Sequence, residues 1–265
     1  MACTTTDHAG RVYLVTGGAE GIGFGMAAHL AGCGAAVVIA SRNAERGQAA
    51  LPRIAALAGC DSERVAWVQA DIGIEADNEA AVAFATSRYG HLDGAINNAV
   101  YPGDFKMLAD ESLESFEEVM RTNVTGTFLG MKHQIRQFIA QGAGRGDNYS
   151  IVNVSSGATR DIAPGMGPYV ASKCAVEALT RAAAREYSGG GIRVNTLLFG
   201  VFETEKSRAL HASMPAIREK NAAKHPVGRF GNPRSDAGPA AAYLLSADSA
   251  FVTGSVLFVD GGMCL

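Results

Sequence analysis

The 265-residue sequence predicts a doubly wound parallel α/β sheet of about seven strands, covered by helices on both faces and built as a single domain over 1–265. Three observations carry that prediction. Short β-rich runs alternate with helix-like segments from end to end. A glycine-rich turn links the first such run directly to the first helix. No internal repeat or linker divides the chain, and a 48% hydrophobic composition suits one sizeable core over about 10–262.

The first strand is residues 11–16, and Gly17, Glu20, Gly21, Ile22 and Gly23 lie in the turn that follows, ahead of an apolar helix over 24–33. A turn lacking Cβ atoms lets backbone N–H groups approach a pyrophosphate at the helix N-terminus. Strand, turn and helix in this order is the context that such a site requires. Residues 35–40 are the second strand, ending at Ser41, Arg42 and Asn43. Dinucleotide folds place here either an acid for the ribose hydroxyls or an Arg for a 2′-phosphate. Ser41 is uncharged and Arg42 follows it, which favours the phosphate; Glu20, in the glycine turn, opposes it.

A helix is expected over 43–59, with Pro52 an objection inside it. The third strand, 65–70, ends at Asp71 and Ile72; a helix over 75–89 follows, then a short strand over 92–96 leading into Asn97, Asn98 and Ala99. Residues 112–141 have apolar positions at helical spacing, with Asn123 inside the run near Gly126. A mid-helix Asn is a poor helix former whose amide needs partners if buried. A surface loop over 142–148 precedes the fifth strand, 151–154, whose end carries Ser155 and Ser156. A Pro/Gly loop over 164–168 opens onto a helix over 171–187, and residues 192–198 are the sixth strand, ending at Phe199 and Gly200. Residues 203–231 look irregular, a helix is expected over 233–247, and 255–259 is the seventh strand.

The chemistry centres on Tyr169 and Lys173, four residues apart and therefore on one helical face. A free Tyr, with a pKa of about 10, is too weak an acid to work as a proton shuttle near neutrality. A neighbouring ammonium stabilises phenolate and lowers that value. Ser156 ends a strand, where open α/β sheets keep their chemistry.

Composition excludes other classes. A net charge of −3 with no basic cluster argues against nucleic acid. No apolar run reaches the roughly 18 residues of a membrane span, and residues 1–10 lack a signal-peptide core. The six His and five Cys show no metal-ligand spacing, so no metal is assigned. The odd, scattered cysteine count (Cys3, Cys33, Cys60, Cys174, Cys264) reads as reduced thiols in a cytoplasm.

Together these motifs resemble the short-chain dehydrogenase/reductase family, over about residues 10–262. Thr16, Gly17, Gly21, Ile22 and Gly23 are similar to its cofactor turn, Asp71 to its adenine-contacting acid, and Asn97, Asn98 and Ala99 to its Asn-Asn-Ala-Gly turn. Asn123, Ser156, Tyr169 and Lys173 match its catalytic tetrad. Two departures are Val100 for the usual Gly and Phe199 for the usual Pro. The resemblance implies a Rossmann-type fold and hydride transfer between a nicotinamide and a ketone or secondary alcohol. In that scheme Tyr169 delivers the proton and Ser156 shares the carbonyl oxygen. Lys173 lowers the Tyr169 pKa and holds the nicotinamide ribose, while Asn123 positions a relay water. Gly200, Phe202 and Thr204 complete the expected cofactor contacts, with NADP(H) preferred and NAD(H) possible. A catalytically silent cofactor-binding protein is the alternative from another class, and the intact tetrad argues against it. Tyr101, residues 157–166 and residues 202–214 are the expected substrate lining; Arg160, Asp161, Glu203 and Lys206 there read equally as solvated loop charges. The resemblance also implies a homotetramer, with 112–141 and 171–187 packing helix to helix across one two-fold axis; the apolar Met263, Cys264 and Leu265 are expected to be buried near a second subunit interface.

Overall fold

The computed structural model describes residues 7–142 and 148–265. Cys3, most of the polar N-terminus and most of the 142–148 loop lie outside the described residues. Strands β1 (Val12–Thr16), β2 (Ala36–Ser41), β3 (Val65–Gln69), β4 (Gly94–Asn97), β5 (Tyr149–Ser156), β6 (Ile192–Phe199) and β7 (Val256–Val259) form a sheet in the order β3-β2-β1-β4-β5-β6-β7. Every neighbouring pair is parallel. Parallel sheets must be covered on both faces, which is why the strands read as apolar runs without polar alternation: β1 and β6 are buried at every position.

Helices α1 (Gly21–Gly32), α2 (Ala44–Ala58), α3 (Glu75–Tyr89), α4 (Leu113–Met120), α5 (Gly126–Ala140), α6 (Gly167–Tyr187), α7 (Glu205–Ser213), α8 (Pro215–Ala223) and α9 (Gly238–Leu245) complete the chain. Met26, Ile54 and Leu244 place α1, α2 and α9 in one core cluster, and Val82, Phe138 and Ala184 place α3, α5 and α6 in the other. Strand alternation feeds both: Tyr13 and Val15 enter the first cluster, Val12 and Leu14 the second.

Four local differences from the sequence reading have physical causes. Pro52 does not break α2, because it lies on the exposed face. Residues 203–231 are not irregular throughout: α7 starts on a Thr204–Ser207 capping box, and Pro215 opens α8 as an N-terminal proline. The helical run around Asn123 is continuous but carries a π-turn at Arg121–Thr125 between α4 and α5. Cys60, Cys174 and Cys264 are free, as a reducing environment implies, but Cys33 is disulfide-bonded; parity and spacing are blind to which thiols the fold brings together.

Candidate active site

The chain leaves β1 toward β2 on one side and returns through β4 on the other, which opens a crevice at the carboxyl ends of these strands. A cleft of about 430 Å³ lies there, lined by Gly17, Glu20, Gly21, Ile22, Ser41, Arg42, Asn43, Asp71, Ile72, Asn98, Ala99, Ser156, Tyr169, Lys173, Gly200 and Thr204. Val100 lines it as well, so the bulk that replaces the family's glycine faces the cleft. Gly23, Asn123 and Phe202 are not part of the lining.

Gly17 and Gly21 have φ of +65° and +61°, the left-handed region that favours glycine. At Gly21 an added Cβ would meet nothing closer than Thr204 Cγ2 at 3.7 Å, so conformation and not crowding selects glycine there. At Gly23 the constraint is packing, since a Cβ would lie 2.4 Å from the Gly17 carbonyl oxygen. Glu20 precedes α1 without capping it, which leaves the first-turn N–H groups to another acceptor. Asn98 secures the turn: its side-chain amide donates to the Thr16 carbonyl at 3.0 Å and the Gly17 carbonyl at 3.3 Å. A glycine turn with an uncapped helix start above a cleft fits a dinucleotide pyrophosphate.

Ser41 Oγ accepts from the Trp67 indole at 2.9 Å, and Asn43 caps α2 by accepting from the Arg46 N–H at 2.8 Å. Arg42 lies 4.0 Å from Glu118. Glu20 is paired twice, with Arg46 at 3.3 Å and with Lys206 at 2.5 Å, and both cations line the cleft. Burial pushes the Asp71 carboxyl up, but the Gly73 N–H and the Arg121 guanidinium outweigh it and hold Asp71 below the usual carboxylate range. Arg121 sits on the π-turn and reaches Asp71 at 3.3 Å.

At the opposite end, α6 begins at Gly167 and projects Tyr169 and Lys173 toward the end of β5. The Tyr169 and Ser156 side chains line the same end of the cleft, where the Ser156 hydroxyl acts to lower the Tyr169 pKa. Ser156 Oγ accepts from the Ala158 N–H at 3.2 Å. Lys173 is buried, donates to the Val154 carbonyl at 2.9 Å, and lies 5.9 Å from the Tyr169 ring centroid. Burial lowers its pKa to about 8. The expected lowering of Tyr169 is not what the structure shows: burial raises the phenol above its ordinary value, and the neighbouring Ser156 hydroxyl offsets only part of that.

Asn123 is wholly buried behind the cleft. Its side chain accepts from the Tyr101 N–H at 2.8 Å and donates to the Tyr101 carbonyl at 3.0 Å and to Ser172 Oγ at 2.9 Å. The amide is thus spent on fixing Tyr101 and α6 instead of facing the cleft. Phe202 is buried against Phe199, centroids 4.9 Å apart, and lines a separate cavity of about 290 Å³ with His225 and Asp260. Phe199, the second departure from the family pattern, is therefore half of a core aromatic pair. Thr204 lines the cleft while capping α7.

Sequence reasoning missed Arg46 and Arg121, and it named Lys206 only as a charge of the expected substrate lining, whereas Lys206 pairs with Glu20. Lys206 and Glu20 are 186 positions apart, so no local pattern announces their pairing. Of the loop charges, Arg160 pairs with Glu177, Asp161 with Lys224, and Lys206 with Glu20. Met263 and Cys264 pack on Gly157 within the same chain, while Leu265 is exposed.

The family model described as Enoyl-(Acyl carrier protein) reductase matches residues 17–264. A 2,5-dichloro-2,5-cyclohexadiene-1,4-diol dehydrogenase of Sphingobium indicum is 42% identical over 257 residues, 97% of this chain and 98% of its own. A short-chain type dehydrogenase/reductase from Mycobacterium ulcerans superimposes with a TM-score of 0.88 at 32% identity, over 97% of this chain and 90% of that one. A 3-ketoacyl-(acyl-carrier-protein) reductase from Brucella melitensis, complexed with NADH, superimposes with a TM-score of 0.86 at 33% identity, over 97% and 99% of the two chains. With the glycine turn, the strand-end serine and the Tyr/Lys helix in one cleft, the chain belongs to the short-chain dehydrogenase/reductase family and is an NAD(P)-dependent oxidoreductase.

Proposed function

We propose that the protein interconverts a secondary alcohol and its ketone with NADP(H), Tyr169 acting as general acid/base. The observation that carries this reading is the convergence of Ser156, Tyr169 and buried Lys173 in the cleft that also holds the glycine turn. The nicotinamide, when bound, supplies or accepts the hydride. The chain handles the proton and the developing charge. Ser156 takes the Ala158 N–H as acceptor and keeps its own proton to donate. Tyr169, raised by burial, is a protonated phenol near neutrality and delivers its proton to the carbonyl oxygen in the reductive direction. In the oxidative direction the positive charge of oxidised nicotinamide favours phenolate. Lys173 takes the cofactor ribose. Asn123 positions the Tyr101 backbone and α6.

Gly17, Gly21, Ile22 and the first turn of α1 take the pyrophosphate, and Asp71 and Ile72 the adenine. Arg42, Arg46 and Lys206 surround the place for a 2′-phosphate, and two of these cations already offset Glu20. The second reading is NAD(H) use, favoured by the carboxylate of Glu20 within the lining and by the NADH-bound relative. For substrate, the resemblance to a cyclic-diol dehydrogenase supports a ring alcohol or ketone.

A homotetramer is part of the proposal, supported by exposed Phe116, Phe128 and Ile139 on α4 and α5. Light scattering showing a monomer at micromolar concentration would contradict it. A cytoplasmic location is part of the proposal, supported by the free Cys60, Cys174 and Cys264 and opposed by the disulfide at Cys33. Among the described residues, no helix is long and apolar enough to cross a membrane.

The functional test uses cyclohexanol, cyclohexanediols and the matching ketones with each cofactor. Tyr169→Phe should lose activity by about two orders of magnitude or more, while cofactor affinity, read from the single tryptophan, Trp67, stays the same. Near-normal turnover in that variant would refute the proton-donor role.

A further inference from the structure

Tyr169, Lys173 and Glu177 stand at successive four-residue steps on α6 and so share one face. Each stands by a different residue at the end of β5. Lys173 donates to the Val154 carbonyl at 2.9 Å, Ser155 Oγ donates to Glu177 Oε1 at 2.7 Å, and Tyr169 shares the cleft lining with Ser156. The first and last of these pairings belong to the proposed proton chemistry. Glu177 touches neither reacting hydroxyl.

Glu177 is nonetheless a buried carboxylate, 4% exposed, and a buried charge persists only when paired and hydrogen-bonded. Arg160 supplies the pairing: one guanidinium nitrogen donates to Glu177 Oε2 at 2.6 Å and the other to Thr159 Oγ1 at 2.7 Å. Thr159 Oγ1 in turn lies 3.2 Å from Glu177 Oε1 and 2.9 Å from the Ser156 carbonyl oxygen. A carboxylate only accepts, so the Ser155 proton points at it, while the single Thr159 proton is shared between Glu177 and the nearer Ser156 carbonyl, an arrangement that Arg160 steadies by donating to Thr159 Oγ1. The residue before Ser156 and the turn after it are therefore anchored to the same side chain. Rotating Ser156 would break charge-assisted bonds on both sides.

We propose that Glu177 is a positioning residue: through Ser155, Thr159 and Arg160 it clamps the backbone on either side of Ser156 and so holds the Ser156 hydroxyl against Tyr169. The proposal rests on the reading of Ser156 and Tyr169 as the reacting pair, and its test separates the two. Cyclohexanone reduction is measured for the wild type, Glu177→Gln, Ser156→Ala and the double variant, with cofactor KM and melting temperature alongside. Glu177→Gln should lower kcat about tenfold with cofactor KM held within about twofold, and should cost less than about twofold once Ser156 is already Ala. Equal losses in the two backgrounds, or no loss in either, would overturn the positioning role. A Ser156→Ala enzyme with unaltered kcat would sink the underlying reading and the proposal with it. Should Glu177→Gln fail to fold, Arg160→Lys enters the same cycle. It keeps the charge at a half-exposed position, loses the two-pronged contact, and is expected to show the same non-additivity.

Discussion

Replacing Lys173 with Met should stabilise the cofactor-free protein at neutral pH while abolishing turnover. Lys173 is 3% exposed, and its ammonium has one acceptor at hydrogen-bond distance among the described residues, the Val154 carbonyl at 2.9 Å. Burial brings its pKa from 10.5 to about 8. Below about pH 8 the side chain is charged in both folded and unfolded chains, and the full cost of burying that charge is present. Between about 8 and 10.5 the folded chain releases the proton while the unfolded chain keeps it, so stability rises with pH across that window. The displacement corresponds to about 3 kcal/mol. Met fills a similar volume without charge but forfeits a hydrogen bond worth about 1 kcal/mol. The net expectation at pH 7 is a gain of about 2 kcal/mol that fades as pH climbs through that window. Urea unfolding of both proteins, at matched concentration and at several pH values, measures it. A Lys173→Met variant less stable than wild type at pH 7, or a difference that does not change with pH, would refute the reasoning.

Cofactor choice should respond to the charges around Glu20: Arg42→Ala should cut the NADP(H)-to-NAD(H) ratio of kcat/KM by about tenfold. Glu20→Lys should raise that ratio, since it frees Arg46 and Lys206 and adds a fourth cation beside Arg42; a wild-type ratio favouring NADH would show that Glu20 dominates. Gly47→Ala would set a Cβ 2.0 Å from the Trp67 indole nitrogen, so it should break the Ser41 bond, cost about 1–3 kcal/mol and shift the emission of the single tryptophan. An unchanged spectrum and melting temperature would contradict that packing. His8 is 1% exposed, and burial lowers its pKa to about 4, so between pH 6.5 and about 4 the unfolded chain binds a proton that the folded one refuses. Stability should fall by about 3 kcal/mol as pH drops through that window, and His8→Gln should flatten this limb of the curve.

The alternation of apolar strands with helices was legible because each strand of a parallel sheet is buried on both faces and reads as an uninterrupted run. Tyr169, Lys173 and Ser156 were legible for a different reason: a helix fixes the four-residue spacing, and a strand end fixes where the serine stands. What stayed hidden depends on contacts between distant segments. Glu177 looks like one more polar residue on an Ala-rich helix until β5 is laid beside it. The pairing of Glu20 with Lys206 needs the α7 start to fold over the glycine turn. Phe202 was expected in the cleft from the family resemblance, but Phe199, standing where that resemblance anticipates a proline, offers it an aromatic partner in the core. Asn123 gave a local sign, a poor helix former amid good ones, yet that sign does not say that the helix widens around it.

That widened turn has a consequence for how the chain tolerates change in length. A π-turn holds one residue more than the α-helix it interrupts, with the flanking helices kept in place. A chain shortened by one residue within Arg121–Thr125 can close as regular α-helix, with α4 and α5 still presenting their present faces to the sheet. The same deletion inside α5 would turn everything beyond it by about 100°, carrying Met131, Ile135 and Phe138 out of the core. Scaffold and chemistry are therefore separable in this stretch by a single residue: the shortened helix keeps the architecture and loses the placement of Asn123 and Arg121.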